Sequence, residues 1–437
     1  MKLQWILFFS ICFVGFCTPV QGLFSGTSLQ DYVDGLVDAA KFKIQGMLSL
    51  NDTTVGRMWS YFKSKYGRVY SSMDDEKQRL RIFRDHLKYV LESNLNTLRT
   101  YELELNEFAD WTMDEFNTLK KGLTISTELR RRLSDSESDD SYDEDSVRRS
   151  LDKLYKHHYH QRRLKRSMIY RRRHQTHLDR RGFTDWLWNL INTGIGNSSS
   201  SSSSNNNNNA GSSTSSFDWR NQNMVSSVKN QLNCGCCYAF ATAAVLETLY
   251  AVKTKSSTVT EFSPQQIADC SSNGNNGCNG GNFAPSLRYI SGQGGKIATL
   301  ASYPYAGKKQ SCQTSGLNQV NLGNIQYGAI PEGDEKAMAK ALVDYGPIFI
   351  GLDADSQLFM FYKSGVLSIS GCPTRRQDMD HAMVAVGYGY DSALKLPYWI
   401  IKNSWAEKWG EKGYLRLVKD KSNMCGVASM AYYAKLT

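Results

Sequence analysis

The sequence predicts an α+β domain of two lobes, one helical and one rich in β-sheet, with a cleft between them and a small helical module ahead of it. Three features of the chain carry this prediction. After Cys237 the run YAFATAAVLETLYAV has helical character. Farther on, strand-like runs such as AMVAVGYGY and YWIIKN alternate with glycine-rich turns. Within residues 57–118, Leu80, Phe83, Leu87, Val90 and Leu91 recur at helical spacing, and a charged and Ser/Asn-rich linker separates this module from the domain.

At 437 residues the chain exceeds a typical single domain, and shifts in composition divide it. Residues 1–22, MKLQWILFFSICFVGFCTPVQG, carry one early lysine, an apolar stretch from Trp5 to Phe16, and the small residues Val20 and Gly22. This pattern is that of a secretory signal peptide, too short for a membrane span. The helical module at 57–118 ends in LELNEFADWTMDEF. A linker at 119–216 follows, in which the acidic serine run SDSESDDSYDEDS precedes a basic block and reads as solvated chain. Its RRLKRS segment (Arg162 to Ser167) is either a dibasic processing site or simply charged linker. GFTDWLWNLINTG at 182–194 presents Trp186, Leu187, Leu190 and Ile191 as one apolar face, for a membrane surface or for docking on the protein itself. SSSSSSSNNNNN, from Ser198 to Asn209, is a low-complexity tether. Residues 217–437, opening on FDWR, are long enough for a full enzyme domain.

The net charge of +10 sits unevenly: residues 148–181 hold thirteen Lys or Arg against two Asp, whereas residues 217–437 hold 21 basic and 16 acidic side chains. The charge therefore says little about what the folded domain binds. A polyanion-binding role for the basic block and a solvated linker both fit it. Asn51 and Asn197 lie in glycosylation sequons outside the domain. No metal-binding spacing appears, and no cofactor is expected.

Of ten cysteines, Cys12 and Cys17 leave with the signal peptide, and the remaining eight lie between Cys234 and Cys425. An oxidising compartment favours disulfides. Three bridges would leave two cysteines and four would leave none, but Cys236 and Cys237 are adjacent, and an adjacent pair bridges only with strain. A cysteine nucleophile needs a thiolate, which a histidine partner and a helix N-terminus both favour. Cys237 heads the predicted helix, and residues 217–437 contain one histidine, His381. Asn403, in IIKNSW, is a candidate to orient that imidazole, and Gln231, six residues before Cys237, a candidate oxyanion donor.

Together with DWR, VKNQ, CGCCYAF, FSPQQIADC, GCNGG, ASYPY, GPI, DHAMVAVGYG and YWIIKNSWAEKWGEKGYLRL, these residues resemble the papain family of cysteine proteases, and within it the cathepsin L-like group, across the whole of residues 217–437. The spacing agrees, since His381 lies 144 residues after Cys237. The resemblance implies the papain-like two-lobed fold and an endopeptidase with Cys237 as nucleophile, His381 as acid and base, and Gln231 in the oxyanion hole. Trp405 would shield the His381–Asn403 hydrogen bond. Family pairing implies Cys234 with Cys278, Cys270 with Cys312, and Cys372 with Cys425. Gly280 and Gly281 would meet substrate backbone, Asp380 would border the cleft, and Asn282, Phe283, Gly351, Met379, Ala382 and Met430 would surround the second subsite. The apolar Met430 predicts preference for Leu, Val or a compact aromatic there, and poor use of Arg. Cys236 stands where the family usually has Ser or Ala; it is either a packing residue or a redox brake that couples to Cys237.

The 57–118 module resembles the family's inhibitory propeptide. Asp75, Arg79, Phe83, His86, Val90 and Asn94 fall on its helical signature, and Asn106, Phe108 and Asp110 on its second signature, with Glu104 where glycine is usual. The implication is a zymogen whose pro-segment fills the cleft in the non-productive direction and leaves at low pH, driven by protonation of carboxylates such as Asp110, Asp114 and Glu115. Expected partners are peptide and protein substrates, the chain's own pro-domain and cystatin-type inhibitors. No nucleic acid or transmembrane segment is required, the expected state is a monomer, and delivery is to a lysosome-like compartment or to the outside. The rival reading is an impaired family member with a structural or polyanion-binding role.

Overall fold

The computed structural model describes residues 52–96, 98–124 and 216–437. The signal peptide, the sequon asparagines Asn51 and Asn197, the basic block, the 182–194 segment and the Ser/Asn tether lie outside the described residues.

Two helices open the N-terminal module, α1 (Asp52–Tyr66) and α2 (Met73–Asn94). Ser72 caps α2 by accepting from the Asp75 N–H, and Asp74, Asp75 and Glu76 place negative charge on its first turn. The helices meet through aromatic side chains: the Trp59 ring lies 5.2 Å from Phe83 and 5.4 Å from Tyr70. Strand β1 (Tyr101–Leu103) follows, then α3 (Met113–Lys120), which opens on a capping box between Thr112 and Glu115.

In the large domain, β2 (Phe217–Asp218) precedes α4 (Cys237–Thr254). Thirteen residues of α4 are buried, so its apolar character on all sides marks it as a helix through the core. Helices α5 (Pro264–Cys270) and α6 (Phe283–Gly292) and the pair β3 (Lys296–Ala298) and β4 (Gln319–Asn321) complete the helical half. The other half contains β5 (Ile325–Ala329), α7 (Glu335–Tyr345), β6 (Ile348–Leu352), α8 (Gln357–Met360), β7 (Tyr362–Leu367), β8 (His381–Asp391), β9 (Leu396–Lys402), β10 (Tyr414–Val418) and β11 (Met430–Leu436). Its sheet runs β1-β7-β10-β9-β8-β6-β11-β5, with β2 beside β8.

The sheet's first strand belongs to the N-terminal module. β1 pairs antiparallel with β7, Glu104 N–H donates to Phe361 O (2.8 Å), and Asn106 Nδ2 donates to Met360 O (2.6 Å). The module thus docks by extending the domain's sheet, with backbone hydrogen bonds supplying the attachment. Disulfides join Cys234 to Cys278, Cys270 to Cys312, and Cys372 to Cys425, and Cys236 and Cys237 are free.

Candidate active site

Cys237 is the first residue of α4, where unpaired N–H groups and the helix dipole favour negative charge. Its Sγ accepts from the Ala382 N–H at 3.3 Å, which places the thiol beside the start of β8 and hence beside His381. The antiparallel β8–β9 pairing brings the residue after β9, Asn403, to the same spot. His381 Nε2 lies 2.9 Å from Asn403 Oδ1. That oxygen also accepts from Ser404 N–H (2.8 Å), and because an amide oxygen only accepts, Nε2 carries the imidazole proton. Nδ1 keeps its lone pair and has no hydrogen-bond partner among the described residues.

Trp405 stacks on His381 at 4.5 Å between ring centroids, and Phe116 of α3 packs on Trp405 at 5.1 Å. Gln231 is fully buried, its Oε1 accepting from Ser404 Oγ (2.7 Å). Its Nε2 donates to Cys234 O (2.9 Å) and to Lys120 O (3.1 Å). Ser404, which the sequence analysis did not single out, therefore aims the amide; its place in KNSW was the available signal.

The cleft is filled by residues 120–124, beyond the 118 boundary that composition suggested. Gly281 N–H donates to Gly122 O (2.9 Å) and Thr124 N–H to Gly281 O (3.0 Å), a parallel bridge. Asn282 Nδ2 donates to Thr124 O (2.8 Å). A Cβ at Gly280, whose φ is +108°, would lie 2.5 Å from Thr124 Cγ2. A Cβ at Gly351 would lie 2.4 Å from Leu123 Cδ2 and 3.1 Å from Met430 Sδ, so Leu123 rests on the Gly351 backbone next to Met430. Phe283 stacks on Phe349, and Met379 packs at Gly426. Ala382 and Asp380 flank His381; the Asp380 carbonyl accepts from the Gly122 and Leu123 N–H groups.

Burial under this segment pushes the Cys237 thiol up to about 12 and the His381 imidazole down to about 3. Both shifts favour the neutral thiol and imidazole over the thiolate–imidazolium pair. Cys236 differs from its neighbour, since its sulfur lies 3.2 Å from Tyr305 OH in the helical half.

Residues 213–435 match the family model described as papain family cysteine protease, and residues 59–116 match the cathepsin propeptide inhibitor domain. The chain belongs to the papain family. It is 29% identical over 380 residues to digestive cysteine proteinase 1 of Homarus americanus, covering 86% of this chain and 93% of that protein. It is 40% identical over 221 residues to cathepsin L1 of Drosophila melanogaster, covering 50% of this chain and 57% of that one. Among solved structures, a recombinant stem bromelain precursor aligns with a TM-score of 0.60 at 28% identity, covering 87% of this chain and 99% of that one. The expected family and two-lobed fold hold. This papain-family chain is a cysteine protease zymogen with its inhibitory propeptide as an internal partner. Among the described residues no helix is long and apolar enough to cross a membrane.

Of the carboxylates expected to respond to acid, Asp110 and Glu115 shift in opposite directions. Asp110, bonded to Tyr70 OH (2.9 Å) and 3.2 Å from Arg68 Nε, is pushed up, chiefly by burial. A carboxyl raised in the folded module binds its proton more tightly there than in the unfolded chain, so protonation at Asp110 stabilises the folded module rather than loosening it. Glu115 has the expected sign: the Arg79 guanidinium (2.6 and 2.7 Å) holds it below its usual 4.5. Its contribution is lost only as pH falls from 4.5 through that depressed value. Asp114 is exposed in the first turn of α3 and complements the helix dipole.

His86 acts earlier in the descent. It is buried, its Nδ1 lies 3.0 Å from Ala109 O, and its ring meets Phe361 of the protease domain at 4.9 Å. Burial lowers its affinity for protons below the usual 6.5, with Asp85 and Asp110 opposing. The folded module therefore binds fewer protons at His86 than the unfolded chain does, and its stability falls as pH drops from 6.5 toward the depressed value. Replacing His86 with Asn is expected to move the midpoint of zymogen processing roughly half a pH unit more acidic. Processing followed by gel electrophoresis across pH would show an unchanged midpoint if His86 were only a packing residue.

Proposed function

We propose that the mature protein is a cysteine endopeptidase in which Cys237 is the nucleophile, His381 the acid–base partner, Asn403 the orienting acceptor and Gln231 the oxyanion donor. On loss of the pro-segment, water returns to the cleft and the Cys237 proton moves to His381 Nδ1. The thiolate attacks the scissile carbonyl, forming a C–S bond, while the oxyanion is received by Gln231 Nε2 and the N-terminal N–H of α4. His381 then protonates the departing nitrogen as the C–N bond breaks. A water that gives its proton to His381 hydrolyses the thioester and restores the thiol.

One observation carries this reading. The pro-segment offers the carbonyl of Lys120 to Gln231 and the side chain of Leu123 to the apolar floor at Gly351 and Met430. It does so in parallel with Gly281, and a substrate would run the opposite way. The second subsite, formed with Asn282, Phe283, Met379 and Ala382, accordingly takes Leu, Val or a compact aromatic two residues before the scissile bond, and a guanidinium there would lack a counter-charge. The secretory signal and the relatives named cathepsin L and digestive cysteine proteinase support a lysosome-like or extracellular site of action.

The test is a panel of dipeptidyl fluorogenic amides with Leu or Arg in the second position, hydrolysed by protein activated at about pH 4–5 under thiol. Leu is expected to exceed Arg by at least about tenfold in kcat/KM. Equal rates would overturn the specificity, and no hydrolysis of either would overturn the protease.

A further inference from the structure

We propose that Asp380 and Asp355 form, once the pro-segment has left, a subsite that selects lysine or arginine as the first residue after the scissile bond. The inference rests on the protease reading and deepens it.

The observation is the position of Lys121. Its side chain is 5% exposed, and its Nζ lies 2.7 Å from Asp380 Oδ2 and 3.4 Å from Asp355 Oδ1. A bound ammonium thus already occupies the wall. The neighbouring Lys120 does otherwise: its Nζ donates to Leu232 O (2.8 Å) and sits over the Phe108 and Trp111 rings of the pro-domain itself.

The register along the cleft assigns Lys121 to the leaving-group side. Leu123 rests on Gly351, and Gly122 crosses the backbone of Gly235, next to the nucleophile loop. Preceding them, the Lys120 carbonyl accepts from Gln231 Nε2 and from Trp405 Nε1 (3.3 Å). Trp405 flanks His381, the group that protonates the departing nitrogen, so the Trp405 end receives the product amine. A substrate running opposite to the pro-segment, with its second-subsite residue over Gly351, brings its first departing residue to the place that Lys121 holds.

The wall is built to keep its charge there. Asp380 Oδ1 accepts from Ala354 N–H (2.9 Å), which turns Oδ2 toward the cleft. Asp355 N–H donates to Asp353 Oδ1 (3.1 Å), so a third carboxyl stands behind the other two. Asp355 Oδ1 also accepts from Asn117 Nδ2 (2.8 Å). Both Lys121 and Asn117 belong to the pro-region, and among the described residues Asp355 and Asp380 have ion pairs with Lys121 alone. Maturation therefore uncovers carboxylates that have lost their cation. A lysine or arginine restores the pair, whereas a glutamate meets like charge. The Asp355 side chain is 57% exposed, so the attraction is screened and the effect is a preference rather than an absolute requirement.

The experiment uses acid-activated enzyme returned to about pH 7, since burial raises Asp380 and pushes Asp353 up to about 6. Quenched peptides identical except for Lys, Ala or Glu after the scissile bond, all with Leu in the second subsite, are compared with a Leu-Arg coumarin amide, which has no residue there. Lys is expected to exceed Glu by about tenfold in kcat/KM, and Asp355→Lys to bring the ratio below one. The ratio within each enzyme does not depend on how much of a variant folds. A flat wild-type profile, or an unchanged ratio in Asp355→Lys, overturns the subsite; cleavage of the coumarin amide in that case leaves the protease standing. Failure to cleave the coumarin amide overturns the protease reading, and the subsite with it.

Discussion

Cys237→Ala is expected to abolish hydrolysis, lowering kcat by roughly 10⁶ as in hydrolases stripped of their nucleophile, while Cys236→Ser stays within about twofold of wild type. The two thiols are adjacent in sequence, both are buried, and burial pushes both up to about 12. Their partners separate them. Cys237 begins α4 and faces Ala382 N–H, one residue from the imidazole whose Nδ1 lone pair is unclaimed. Cys236 faces the phenol of Tyr305, which itself donates to Gln231 O (2.5 Å) and packs edge-on against Phe240. Among the described residues no base stands beside Cys236 to take its proton, so removal of the pro-segment is expected to activate one sulfur and leave the other a packing group. The same separation argues against the redox brake: coupling to Cys237 would require Cys236 to leave Tyr305. Initial rates on a Leu-Arg fluorogenic amide, with alkylation mapped by peptide digestion, check both points. Hydrolysis that survives Cys237→Ala but not Cys236→Ser would transfer the nucleophile to position 236.

The parts of this site legible in the sequence were those set by local pattern. The buried helix after Cys237 is apolar on every side, and the β8 and β9 runs stand out as continuous apolar stretches bounded by turns. A single histidine in the domain left no choice of imidazole. Protonation was not legible, because the depressed thiol expected from a Cys–His pair depends on solvent that residues 120–124 exclude. The extent of the pro-segment was hidden too: KKGLT reads as linker, and only the geometry of Gly281 and Gly351 reveals that it fills the cleft. Glu104 stands where the resembling family's signature has glycine. Its φ is not positive, its N–H reaches Phe361 O and its carboxylate pairs with Lys363, so a side chain is accommodated there.

Gly122→Ala is expected to loosen the pro-segment about a hundredfold without unfolding the protein. A Cβ at position 122 would lie 1.9 Å from Gly235 O and 2.4 Å from Gly235 C, both backbone atoms. Gly235 cannot retreat easily, since the Cys234–Cys278 disulfide and a bridge to Asn279 hold its loop. The facing glycine is equally constrained: a Cβ on Gly235 would lie 2.5 Å from Lys121 O and 2.6 Å from Cys278 O. Two glycines thus allow two chains to cross at a separation no side chain permits. Alanine must lift the segment, stretching Gly281 N–H to Gly122 O (2.9 Å), Gly122 N–H to Asp380 O (3.1 Å) and Gln231 Nε2 to Lys120 O (3.1 Å). At about 1 kcal/mol each, these losses sum to roughly 3 kcal/mol, or about a hundredfold in the docking equilibrium. The measurement is the alkylation rate of Cys237 in uncleaved zymogen at neutral pH, with thermal unfolding of the same sample as the control. The wild-type thiol, wholly buried and protonated, should react slowly and the variant about a hundredfold faster at similar melting temperature. Equal alkylation rates would mean that the module's sheet contact with β7, rather than this crossing, keeps Cys237 covered.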